Sequence, residues 1–271
     1  MDVAPVVATM DIPQIMDLGL PSIGGDLPVD GSIGARTAAV SEPYEDGVGF
    51  GVLYEDPDAL VGFFRDAHAA SMQVAVHAIG DVAIDQALGA WERVYGGLDS
   101  RGRRHFRARR NRIEHFEMPS MAHVERAAVL GLGISVQPSF DLEWGHRGAL
   151  YEQRLGAGRA LAMNPFAELV SRGLVVGAGS DTPITELDPM IGLWALESHH
   201  DRSQRMTRDE AIRLWTIGSA TLARLEDKKG RLEPGMQADF AAFDLDPFIV
   251  EDPRGVRPIL TVSCGREVFS A

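Results

Sequence analysis

Only one cysteine, Cys264, occurs in 271 residues. That excludes an intrachain disulfide framework and a cysteine-rich zinc site, and fits a reducing compartment. No run of about 18 apolar residues is present to span a bilayer as a helix. Positive charge is scarce, with 26 Lys and Arg against 39 Asp and Glu for a net charge of -13. Such a balance suits neither a nucleic-acid partner nor an anionic membrane. The first Lys or Arg is Arg36, so the early positive charge of a secretory signal is missing, and a cytoplasmic protein is expected. The rest of the composition, 45% hydrophobic and 24% charged, is that of an ordinary globular chain. At roughly 150 residues per domain, the length fits one large domain or one domain with an appendage.

Residues 1–58 are rich in Gly, Pro and Asp and carry only short apolar stretches. Beyond Pro57 a regular pattern sets in. Leu60, Phe63, Phe64 and Ala67 predict a helix over 58–70, and the continuous apolar run 73–79 predicts a strand covered on both faces. Ile84, Leu88, Trp91 and Tyr95 mark a helix over 81–95. Strands over 111–116, 133–136 and 174–178 alternate with helices over 120–130, 165–172, 189–199 and 207–222. Alternating strands and helices mean a parallel sheet, open or closed into a barrel. Residues 139–162 read as a long loop, a type of segment that is often functional. After Gly230 two strands, 238–245 and 258–268, have no helix between them. The expected division is a barrel-like unit over 1–227 and a small β appendage over 228–271.

Three predicted strands end in a residue able to bind metal: His77, His115 and Asp181. In an α/β barrel the C-terminal strand ends meet on one face, where active sites lie. Two imidazoles and a carboxylate there could hold a divalent ion, and a catalytic zinc commonly has three protein ligands and an open position. Water at that position would be acidified to a pKa of about 7, which makes it a nucleophile, while Asp181 could shuttle the proton. A single histidine after a buried strand is more often a hydrogen-bonded core residue; three such residues at successive strand ends form a pattern.

The strings His77-Ala-Ile-Gly-Asp81, Arg112-Ile-Glu-His115 and Gly179-Ser-Asp181 resemble the amidohydrolase superfamily, specifically its amidohydrolase-3 (YtcJ-like) group. So do Asp30-Gly-Ser-Ile-Gly-Ala-Arg-Thr37, Gln137-Pro138, Tyr151-Glu-Gln-Arg-Leu-Gly156 and Leu232-Glu-Pro-Gly-Met-Gln-Ala-Asp239. The resemblance implies a metal-dependent hydrolase of amide, formamide or N-acyl C–N bonds on a (β/α)8 barrel, holding one or two divalent ions, with zinc expected. His77 and His115 would be ligands on the fifth and sixth strands, and Asp181 the carboxylate on the eighth. Two departures stand out. The family's opening His-x-His pair is absent, and its leading strands would precede Met1, so the chain resembles the C-terminal part of a longer enzyme. Where many relatives carry a metal-bridging lysine, four residues before Asp-Gly-Ser, this chain has Asp26, a carboxylate that either ligates metal or caps a loop.

The remaining residues allow two readings each. Asp81 either orients His77 or caps the following helix. Gln137, Tyr151 and Arg154 border the 139–162 segment and either meet substrate or pack the loop. Glu114 should point away from His115 as a structural partner. The basic run 101–112 is read as a solvated connector, and His199 and His200 as helix-end cations facing the dipole. An incomplete barrel exposes sheet edges and apolar surface, so association with a second copy or with a polypeptide supplying the missing N-terminal part is expected, along with a small-molecule substrate. A catalytically inactive remnant acting as a binding or assembly partner is the rival reading, and a metal-using isomerase or lyase is a third.

Overall fold

The chain opens with α1 (Ile12–Asp17), β1 (Ser22–Ile23) and a loop-rich stretch, and becomes regular at α2 (Pro57–Ala69). The structure, a computed structural model, describes residues 3–47 and 49–271. Asp56 starts α2 by accepting the amides of Asp58 and Ala59, which would otherwise lack partners in the first turn. The strand β2 (Gln73–Ala78) leads into α3 (Asp81–Gly96), whose Trp91 stacks on Phe64 at 4.5 Å and so fastens α3 to α2. Then come α4 (Ser100–Arg109), β3 (Arg112–His115), α5 (Met121–Leu130) and β4 (Gly133–Val136). Three short helices, α6 (Pro138–Trp144), α7 (Leu150–Leu155) and α8 (Ala157–Leu161), precede α9 (Phe166–Ser171), β5 (Val175–Ala178) and α10 (Pro189–Glu197). After α11 (Arg208–Arg213) a π-helical turn, Leu214–Gly218, continues into α12 (Ser219–Leu222). The chain ends in β6 (Phe240–Phe243), β7 (Pro258–Ser263) and β8 (Arg266–Ser270), an antiparallel sheet of three strands.

Strands β1 to β5 form one parallel sheet in sequence order, the α/β architecture expected from their alternation with helices. The register puts Val76, Ile113, Ile134 and Val176 on one rung and His77, Glu114, Ser135 and Gly177 on the next. The first rung lies in the main apolar core; the second, on the opposite face, has only polar side chains and a glycine. Because all five strands run the same way, their C-terminal ends share one edge, and that edge carries the site. No helix among the described residues is long and apolar enough to cross a membrane.

The single strand expected over 258–268 is instead the antiparallel hairpin of β7 and β8, and two further segments differ from expectation. Residues 139–162 are not a loop but the short helices α6 to α8; Pro138 presets the first turn of α6, and Gly145, Gly148 and Gly156 interrupt the run. The basic run is a helix, α4, started by the Asp99 side chain on the Gly102 amide. It buries only Phe106, so it leaves almost no apolar period for a sequence reading to detect.

Candidate metal centre and cavity

The loop after β1 runs alongside the end of β2. The His77 amide donates to Leu27 O at 3.0 Å and the Val29 amide to His77 O at 2.9 Å, and this pairing brings Asp26 to the histidine. His115, the last residue of β3, has φ +73 and Phe116 has φ +55. The left-handed bend turns the His115 ring to the side occupied by His77, although it alternates with Glu114 along the strand. Such a conformation costs a non-glycine residue roughly 1–3 kcal/mol and tends to persist where function uses it. Asp181, after β5, has φ +56.

Asp26 Oδ1 lies 3.3 Å from His77 Nδ1 and 3.5 Å from His115 Nε2, and the two imidazoles are 4.4 Å apart between centroids. His77 Nε2 is 3.1 Å from Gly31 O. Donation to that carbonyl assigns the proton to Nε2 and leaves the Nδ1 lone pair facing Asp26. A divalent ion fits this set. Zinc with N and O ligands at about 2.1 Å in a tetrahedron requires ligand atoms about 3.4 Å apart, which matches both separations. Burial works to raise the Asp26 pKa, but when both imidazoles carry their second proton the hydrogen bonds and charge of His115 and His77 outweigh it and hold the carboxyl well below the usual range.

Asp30 supports the set from beneath. Fully buried, it accepts the amides of Ile79, Gly80 and Ala39 at 3.0, 2.8 and 2.8 Å and lies 3.6 Å from His77 Nε2. Burial pushes its pKa up against the pull of these donors. Asp30→Asn turns one acceptor into a donor facing an amide, a buried mismatch worth about 1–3 kcal/mol. Urea denaturation is expected to show a loss of that size, and an unchanged midpoint would remove Asp30 from this role.

The other residues singled out by sequence fall into two groups. Asp181 lines the same cavity as Asp26, His77 and His115, and burial raises its pKa. Tyr151 lines it too, fully buried, with its hydroxyl donating to Glu117 Oε2 at 2.7 Å. Gln137 lines an adjoining cavity with Asp26, His115 and Asp181, and its buried Oε1 has no partner among the described residues. Two expectations are corrected. Asp81 does not orient His77: its carboxylate takes the Ser41 amide at 2.9 Å and the Ser41 hydroxyl, and the Gly31 carbonyl does the orienting. Nor does Arg154 face the cavity, since Asp46 and the Gly34 carbonyl hold it. Glu117 was missed by sequence reasoning; it is buried beside His115 with its pKa raised by burial. The signal was there, two residues past a strand-end histidine, but alternation gives no hint of where a chain leaving a left-handed bend will point.

A second His/Asp cluster lies on α6 and just after α10. Asp141, His199 and His200 also bring ligand-type atoms together, but their lone pairs are committed. His199 Nε2 donates to Asn164 O at 2.9 Å, and its Nδ1 accepts the Asp201 amide at 3.0 Å. His200 Nδ1 bonds Asp141 Oδ1, and its Nε2 faces Leu161 O at 3.3 Å. This cluster is a structural knot. The helix-end dipole role expected for these histidines gives way to a specific buried carboxylate.

Comparison with known proteins identifies the family. Residues 19–269 match the sequence profile of the amidohydrolase family. YtcJ of Bacillus subtilis (strain 168), assigned as an amidohydrolase, is 33% identical over 236 residues, which is 82% of this chain and 42% of YtcJ. The N-substituted formamide deformylase of Arthrobacter pascens is 26% identical over 65% of this chain and 32% of its own length. An uncharacterized metal-dependent hydrolase from Pyrococcus furiosus superposes with a TM-score of 0.74 at 33% identity, covering 87% of this chain and 49% of that structure. The chain thus spans half or less of the length of these relatives. Family profile, relatives and fold agree, and the chain belongs to the amidohydrolase family.

Proposed function

We propose that the chain carries the metal-binding portion of a metal-dependent hydrolase that cleaves a C–N bond of an amide, formamide or N-acyl compound. The observation carrying this reading is the convergence of Asp26, His77 and His115 at 3.3 and 3.5 Å, with the His77 tautomer set by Gly31. The formamide substrate named for the Arthrobacter relative supports the bond type. A bound divalent ion, zinc by its N and O ligands, would acidify water to a pKa of about 7 and polarise the carbonyl. His77, His115 and Asp26 would hold it. Asp181, at the rim with a raised pKa, takes a proton from the attacking water and delivers it to the leaving nitrogen. Phe140, its ring nearly parallel to His115 at 5.9 Å, keeps bulk water off that flank.

The partner reading is likewise our proposal. The three-stranded sheet exposes Phe240, Ile259, Val268 and Phe269, an apolar surface that a second copy of the chain or a polypeptide supplying further strands would cover. We further propose a cytoplasmic setting and a separate unit over 228–271.

The test is zinc loading followed by metal analysis and measurement of amine release from a panel of formamides and N-acyl compounds. One or two zinc ions per chain are expected, with turnover lost on chelation and restored by zinc. A chain that retains no metal overturns the reading. Metal retained without turnover in any assembly favours the inactive binding partner.

A further inference from the structure

The cavity beside the three-residue set has a volume of about 390 Å³, enough for a small organic molecule. Its walls are unequal. Starting at His115, aromatic rings follow one another: Phe140 at 5.9 Å, Trp144 at 4.7 Å from Phe140, and Tyr151 at 6.2 Å from Trp144. Ile33, Ile79, Leu150 and Ile184 complete the apolar lining. The charged groups on it are all acids, Asp26, Asp181 and Glu117, apart from the two histidines of the set; no Lys or Arg among the described residues lines the cavity. The one cation that the sequence placed near substrate, Arg154, is held by Asp46.

A carboxylate set against this wall would lose its water without gaining a guanidinium or ammonium in exchange, whereas an uncharged ring gains area and stacking there. Resting on the hydrolase reading above, we propose that the cavity selects uncharged amides bearing an aromatic or bulky apolar group and rejects the same compounds when they carry a carboxylate. The ring lies along Phe140 and Trp144, with the amide carbon toward His77 and His115. Glu117, fixed by the Tyr151 hydroxyl at 2.7 Å, lines the cavity there and gives an anion no cationic partner.

The test compares formanilide with 4-formamidobenzoate, which differ by one carboxylate on the same ring. Calorimetric titration into the zinc-loaded chain is expected to show formanilide binding at least about 10-fold tighter. Trp144→Ala should weaken formanilide without changing zinc content. Ile184→Lys, at a rim position that is 58% exposed and tolerant of charge, should narrow or invert the preference by giving the carboxylate a partner. Equal or tighter binding of 4-formamidobenzoate to the unaltered chain, no binding of either compound, or an Ile184→Lys variant with unchanged preference overturns the proposal. Discriminating binding without hydrolysis in any assembly supports the cavity and sinks the hydrolase reading. Hydrolysis of both compounds at equal efficiency does the reverse.

Discussion

His115→Ala is expected to lower zinc affinity by more than about 100-fold. Loss of an outer partner that merely orients a ligand already costs 10- to 100-fold, so loss of a ligand should exceed that. The ring is also the hinge of the site's geometry, because its Nε2 sits 3.5 Å from Asp26 while its face meets Phe140. The measurement is metal content after dialysis, with affinity read by competition against a chelating dye. Where the alanine variant folds poorly, His115→Asn serves, since asparagine tolerates the left-handed backbone at this position. His200→Ala provides the contrast. The imidazole nitrogens of its cluster have no free lone pairs, so zinc content should stay unchanged. Undiminished metal in His115→Ala, or equal loss in both variants, would show that the wrong cluster has been assigned.

Asp141→Ala should destabilise the fold by about 3–5 kcal/mol, the usual cost of removing one partner of a buried ion pair. Asp141 is 1% exposed and His200 8% at their side chains, so solvent does little to screen them. The pH dependence has a definite sign. Burial works against protonating His200, but its hydrogen bond and charge interaction with Asp141 prevail and raise its pKa. A group whose folded pKa is raised contributes stability that is complete below the unfolded value, about 6.5 for histidine, and is lost as pH climbs through the folded value. His199 works the opposite way: its pKa is lowered, chiefly by burial, so it costs stability as pH falls below the unfolded value. Urea midpoints across pH 5 to 9 for wild type and Asp141→Asn separate the two effects. The difference between the proteins should be largest at the acid end and shrink as pH rises. A difference that grows with pH would refute the His200–Asp141 pair.

Much of the scaffold was legible from residue order alone. The apolar run at 73–79 and the spacing of Ile84, Leu88 and Trp91 belong to elements that bury one stripe or two faces, and burial imposes a period. The segments that escaped have little or no such period. The basic helix α4 buries Phe106 alone, and α6 to α8 are too short to repeat a pattern. Site residues were legible where a motif marked a strand end, as at His77 and His115. Glu117 and the Gly31 carbonyl were not, since one depends on where the chain points after a bend and the other is backbone.

Residue order by itself determined which groups stand at the strand ends, and therefore that the candidate site has ligand-type side chains. Strand polarity and alternation follow from a hydrophobic pattern that local chemistry can write. Tertiary structure decided which of these groups meet. It brought Asp26 to two histidines through a loop running beside β2, turned His115 onto the side of its neighbour by a positive φ, gave Asp81 to Ser41 and Arg154 to Asp46, and sealed His199 and His200 around Asp141. The physical reason is range: hydrogen bonds and charges act over a few ångströms in space, and only the packed chain sets which side chains come that close.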